Sequence, residues 1–165
     1  MSTTIEILIC YSRKDERLLK KLEIHLGALR RQNFFDVWNN REIVPGNEIT
    51  TVMDEHLKTA QIILLLISPD FMASDYYYLD LMQRAIERHE RGEACVIPVI
   101  LRRVYWQEAP FGKLQALPTN GEPIKSWHNQ DEAFFNVAEG IRKVIKQMAM
   151  RLPVTIDETF KAKQT

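Results

Sequence analysis

Neither sign of charge prevails in this chain. Lys and Arg together number 22 and so do Asp and Glu, leaving a formal net charge of zero over 165 residues. No global field draws it to nucleic acid or to an acidic membrane, and a neutral surface lowers the barrier to self-association. Cysteine is scarce: Cys10 and Cys95 each sit inside an apolar run, which reads as free buried thiols in a reducing compartment. No cysteine–histidine cluster has zinc-ligand spacing, so no metal site is expected. The opening MSTTIEILIC lacks a basic segment followed by a long apolar one, so it is not read as a signal peptide. No apolar run approaches the roughly 20 residues a membrane-spanning helix needs. The expected setting is the cytoplasm. Phosphate cradles are missing too: there is neither a Gly-x-Gly-x-x-Gly nor a Walker-type glycine loop. A Gly-x-Ser-x-Gly nucleophile elbow is also absent.

What is present is an apolar share of 45% beside a charged share of 27%, the balance of one globular domain. Ile5–Cys10, Ile62–Ile67 and residues 96–101 are apolar runs without polar alternation, and residues 34–38 form a shorter one. Such runs suit strands covered on both faces. A weaker fifth strand is expected at residues 123–127, where Lys125 and Ser126 suit an edge. Between the runs the period becomes helical. Leu18, Leu22, Leu26 and Leu29 make one stripe within residues 15–32. Tyr78, Met82, Ala85 and His89 mark a second helix within residues 74–91, opened by Ser74-Asp75 and stopped at Gly92. Phe134, Val137, Ala138, Ile141, Val144, Ile145 and Met148 mark a third that ends before Pro153. Strand and helix alternate, which predicts an α/β fold with a doubly wound parallel sheet and helices on both faces. Residues 1–150 read as the domain, and 151–165 as a tail or the start of a linker to a further domain.

In such a sheet, ligands bind beyond the carboxyl ends of the strands. The residues there are Tyr11-Ser12-Arg13-Lys14-Asp15, the stretch from Asn39 to Gly46, and Ser68-Pro69-Asp70-Phe71 leading to Ser74 and the tyrosines at 76–78. Each has a plain reading: Ser12 and Ser68 as helix caps, Pro45-Gly46 as a type II turn, the tyrosines as packing. Together they describe a polar, aromatic-lined cleft. His25, His56, His89 and His128 have no obvious catalytic partners and read as structural or surface residues.

These stretches resemble the boxes of TIR (Toll/interleukin-1 receptor) domains of the bacterial type. ILICYSRKDE resembles the first box, VWNNREIVPGNE the second with its "BB loop", and LLLISPDFMASDYYY the third strand and following helix. VIPVILRRVYW and the stretch from LQALP to RKVI resemble the remainder, so the likeness covers residues 4–148 in order. The resemblance implies a flavodoxin-like sheet of about five parallel strands, homotypic TIR–TIR association and, in many members, NAD⁺ cleavage. Those enzymes place a glutamate in the pattern Ser-Asp-Tyr-x-Tyr-x-x-Glu-Met-x-x-Ala. Here the register puts Leu81 at that position, with Asp80 beside it as a weak candidate. Cleavage passes through an oxocarbenium-like state that a carboxylate stabilises and a leucine does not.

Two readings follow from the resemblance. One is a signalling module that associates with other TIR domains through Arg41, Glu42, Ile43, Val44, Pro45 and Gly46, with a degenerate cleavage site and no required cofactor. The other is an active NAD⁺ hydrolase or cyclase, in signalling or anti-phage defence. Its cleft would be lined by Ser12, Arg13, Trp38, Pro45, Ser74 and Tyr77. A phosphoacceptor on the same fold is excluded, because the first strand is followed by Tyr11-Ser12 rather than by an acidic pair.

Overall fold

Branched apolar runs without polar alternation form strands buried on both faces. In the computed structural model, which describes residues 4–32, 35–39 and 45–151, β1 spans Ile5–Cys10, β2 Phe35–Asn39, β3 Ile62–Ile67 and β4 Cys95–Ile100. All pair in parallel, in the order β2-β1-β3-β4. β3 is buried along its whole length. The chain leaves β1 toward one edge and returns toward the other, so the connections reverse between β1 and β3. Their carboxyl ends are the switch point of the fold.

Among the described residues five α-helices flank the sheet: α1 Glu16–Arg30, α2 Ile49–Thr59, α3 Pro69–Ala73, α4 Met82–Glu90 and α5 Gln130–Arg151. Alternate strand residues face opposite ways, which divides the core in two. Ile7, Ile9, Leu64 and Val99 meet Leu18, Leu22 and Leu26 of α1 and Phe134, Val137 and Ile141 of α5. Leu8, Cys10, Ile63 and Leu65 meet Met53 and Leu57 of α2 and Met82, Ala85 and Ile86 of α4. The doubly wound arrangement expected from the alternation of periods is thus present. Both thiols are free, Cys10 buried and Cys95 half-buried.

The helix expected over residues 74–91 starts and stops as the sequence indicates. Ser74 Oγ accepts the Tyr77 N–H at 3.3 Å, and Gly92 follows the end with φ 74°. Its first part, Tyr76–Leu81, is a π-helical turn in which the Met82 N–H reaches the Tyr77 carbonyl. The fifth strand is a correction. Among the described residues the sheet has four strands, and residues 123–127 hold only a 3₁₀ turn, Ile124–Ser126. The place beside β4 is taken by Leu117, bridged in parallel to Val99, with the Ile100 N–H donating to the Leu117 carbonyl and the Leu117 N–H to that of Pro98, each at 2.8 Å. Pro98 has no N–H to donate and the Val96 N–H is taken by His89 Nδ1 at 3.0 Å. This edge therefore cannot carry a full ladder. Residues 152–165 lie outside the described residues.

Candidate functional site

At the switch point, three strand ends are tied by one polar network. Asp15 closes the 3₁₀ turn Arg13–Asp15 that follows β1 and is 2% exposed. Its carboxylate accepts from Ser68 Oγ and from Arg102 Nε, the latter at 2.8 Å. Arg102, just beyond β4, also pairs with Asp70 of α3. A buried carboxylate is tolerable only when answered in this way. Burial works against the charged guanidinium, but the hydrogen bonds and attraction of Asp15 and Asp70 outweigh it and raise the Arg102 pKa. Ser68 Oγ accepts the Phe71 N–H at 3.1 Å and so opens α3. Asp15 and Asp70 were visible at the strand ends in the sequence, but Arg102 was not singled out there.

Of the expected ligand residues, Ser12 and Arg13 stand on the same turn as Asp15. Ser12 is half-buried and its hydroxyl accepts the Lys14 N–H at 3.3 Å. Like Ser68, it caps the turn that follows its strand, the plain reading of both serines. The Tyr77 ring stacks on Phe71 with centroids 4.8 Å apart. Burial pushes the Tyr77 phenol far above its usual range and nearby Cys10, Tyr76 and Tyr11 push the same way, while the Arg13 guanidinium pulls it down. Arg13 is exposed on its turn and Tyr77 stands on the π turn. Trp38 packs at the margin of the same apolar cluster. Its indole stacks on His56 with centroids 3.9 Å apart, and His56 Nδ1 lies 2.7 Å from the Glu6 carboxylate. Pro45 and Gly46 are exposed, and Gly46 has φ 97°, the left-handed value a type II turn requires. Arg41, Glu42, Ile43 and Val44 lie outside the described residues.

At the helix, Leu81 is 0% exposed, in the cluster with Cys10, Phe71, Met82 and Ala85. The physical reason is its chemistry: an apolar side chain gains by leaving water, and the wide π turn lets Tyr76, Tyr77 and Leu81 all reach the same cluster. Asp80 points elsewhere. It pairs with Arg84 at 3.2 Å, and Arg84 in turn donates to Asp54 of α2 at 2.7 Å.

A concave surface lies at the β4 edge. Val96 and Ile97 of β4, Leu114 and Leu117 of the following loop, and Lys143 and Val144 of α5 line a cavity of about 500 Å³. Gly140 of α5 makes the close approach possible, since a Cβ there would stand 2.5 Å from the Leu117 side chain. Sequence reasoning missed this groove, which exists because the fifth strand position is only a single bridge. Among the described residues no group of His, Cys, Asp and Glu could hold a metal ion, and no helix is long and apolar enough to cross a membrane.

The chain is similar to several known proteins. An uncharacterized protein, y4lF, of Sinorhizobium fredii is 50% identical over 137 residues, which is 83% of this chain and 42% of that protein. The Stimulator of interferon genes protein of Magallana gigas is 22% identical over 85 residues, 52% of this chain and 20% of that protein. The chain thus spans under half the length of these curated relatives. The TIR domains of a solved structure, the activated Roq1 resistosome directly recognizing the pathogen effector XopQ, align over 90% of this chain and 99% of theirs, at 18% identity and a TM-score of 0.45. The family model described as TIR domain matches residues 7–134. That match runs from β1 into α5 and takes in most of the chain, and the chain therefore belongs to the TIR domain family.

Proposed function

We propose that this TIR domain acts by associating with other TIR domains and carries no glutamate-type centre for NAD⁺ cleavage. The observation that carries the second half is the burial of Leu81 in the core, with Asp80 held on Arg84. Neither side chain is then available to steady a positive charge developing on a ribose. Incubation of the purified protein with NAD⁺, followed by chromatography of nicotinamide and ADP-ribose, is expected to give no product above buffer. Nicotinamide formed in proportion to protein, and abolished by Asp80→Ala, would promote Asp80 and contradict the reading.

Association is supported by complementary features on opposite edges of the sheet. The loop that follows β2 carries Ile43 and Val44 beside the exposed Pro45 and Gly46, while the apolar groove lies at β4. Contact between such a loop and such a groove is heterologous, so it joins copies head to tail and can propagate. Light scattering is expected to show growth of the wild-type assembly with concentration. Ile43→Asp on the loop side or Val144→Glu on the groove side should stop it. Each variant keeps one good surface, so a mixture of the two should pair and go no further. Wild-type growth unaffected by either substitution would remove this contact. A second reading retains NAD⁺ binding without cleavage, supported by the family resemblance and by the exposed Arg13 on the turn after β1, whose guanidinium can answer a phosphate. Equilibrium dialysis with NAD⁺ tests it, and Arg13→Ala should weaken any binding found.

A further inference from the structure

Tyr105, on the loop after β4, is 96% exposed. The loop beside it is not slack. Trp106 stacks on the buried Phe111 with centroids 6.3 Å apart, and the Ala109 N–H donates to the Trp106 carbonyl at 3.0 Å. Tyr105 is thus an aromatic ring presented to water by an anchored neighbour. Two hollows share it as part of their walls. One, of about 430 Å³, is also lined by Arg103 and Trp106. The other, of about 540 Å³, is lined by Met72, Tyr78 and Glu108.

We propose that Tyr105 and the hollow between Met72 and Tyr78 form an isologous interface between two copies of this chain. A knob and a hollow side by side on one surface are what a two-fold axis needs, because rotation puts each Tyr105 into the other copy's hollow. The charges fit the same operation. Arg103 lines the hollow on one side of Tyr105 and Glu108 the hollow on the other. They are opposite in sign and neither has an ion pair among the described residues, so the two-fold sets Arg103 toward the partner's Glu108. With zero net charge, two copies meet without global repulsion. A tyrosine held in place loses little freedom on docking and makes an effective anchor. The surface shares no residue with the β4 groove or with residues 41–46. It rests on the self-association reading, but it adds a second and separate contact.

The test uses the Ile43→Asp chain, in which head-to-tail growth is blocked. Sedimentation velocity over a range of concentrations is expected to show a reversible dimer. Tyr105→Ala in that background should weaken the dimer about a thousandfold, since the two-fold interface loses both anchors at about thirtyfold each, while leaving the melting temperature of the dilute monomer unchanged. Arg103→Glu should weaken it as well, and adding Glu108→Arg to the same chain should restore it. An Ile43→Asp chain that is monomeric at every concentration overturns the proposal and leaves Tyr105 to another partner. A dimer indifferent to Tyr105→Ala overturns it too. Wild-type assembly that ignores Ile43→Asp but is lost with Tyr105→Ala supports this interface and removes the loop contact instead.

Discussion

A carboxylate that is 2% exposed persists only if its charge is answered, and Asp15 is answered twice, by Ser68 and by Arg102. Replacing Arg102 with methionine keeps much of the side-chain volume and leaves Asp15 without its cation. Urea unfolding of Arg102→Met is expected to show a loss of about 3 kcal/mol, at the lower end for breaking a buried pair because Arg102 is itself partly wet. Adding Asp15→Asn should recover part of that loss, since the two changes remove one interaction. A full, additive loss would mean that the pair does not act as a unit. The network shows where sequence reading stops. Asp15 and Asp70 stood out as polar residues after strands, but the bond from Arg102 to Asp15 joins residues 87 apart. No local period reports a contact of that range. The serines at 12, 68 and 74 were legible as caps because a cap is a local device.

Elements were legible in proportion to their periodicity. α1 and α5 each bury a long stripe, and β3 is apolar throughout. α2 was not read from the sequence, and the structure explains why: only Met53 and Leu57 of ITTVMDEHLKT are buried, too thin a stripe to separate from a loop. The π turn was hidden because it leaves no compositional mark, and it moves the buried set to Leu81, Met82, Ala85 and Ile86 instead of the expected Tyr78, Met82, Ala85 and His89. The fifth strand was assigned to the wrong segment for a related reason. One bridged residue, Leu117, fills the position, and a single residue has no period. Leu117 also sets a test at α5. Gly140→Ala would improve helix propensity by up to about 1 kcal/mol in open surroundings. Here the new Cβ would stand 2.5 and 2.7 Å from Leu117 methyls, and Leu117 is held to β4 by two backbone bonds of 2.8 Å. Overpacking of this kind costs about 1–3 kcal/mol, so the net effect should be a loss of about 1 kcal/mol by chemical denaturation. A gain would show that Leu117 swings aside and that the groove is plastic.

For the whole molecule, burial of titratable groups sets the behaviour at high pH. Burial, helped by Asp54, raises the Tyr76 phenol from 10.0 to about 12, and burial pushes the Cys10 thiol far up. Both groups stay neutral in the folded chain at a pH where the unfolded chain ionises them. Stability is therefore full below the unfolded pKa values and falls as pH rises past them. Melting temperatures should begin to drop above about pH 8.5, the ordinary thiol value, and drop further above 10. Cys10→Ala should flatten the first part of that fall, and an unchanged profile would mean that the thiol is not the cause. Unfolding also reports whether Leu81 belongs to the common core, the observation on which the proposed lack of a cleavage site rests. The decisive measurement is the melting temperature of Leu81→Glu beside wild type as a function of pH. If Leu81 is core, the glutamate is buried unpaired and the variant melts about 10 °C lower at pH 7, a loss of several kcal/mol. The folded-state pKa of that glutamate is then raised, so the deficit narrows as pH falls toward about 4.3 and the acid becomes neutral in both states. A variant that melts with wild type at pH 7, with no dependence of the difference on pH, would put position 81 in an open cleft and contradict the account.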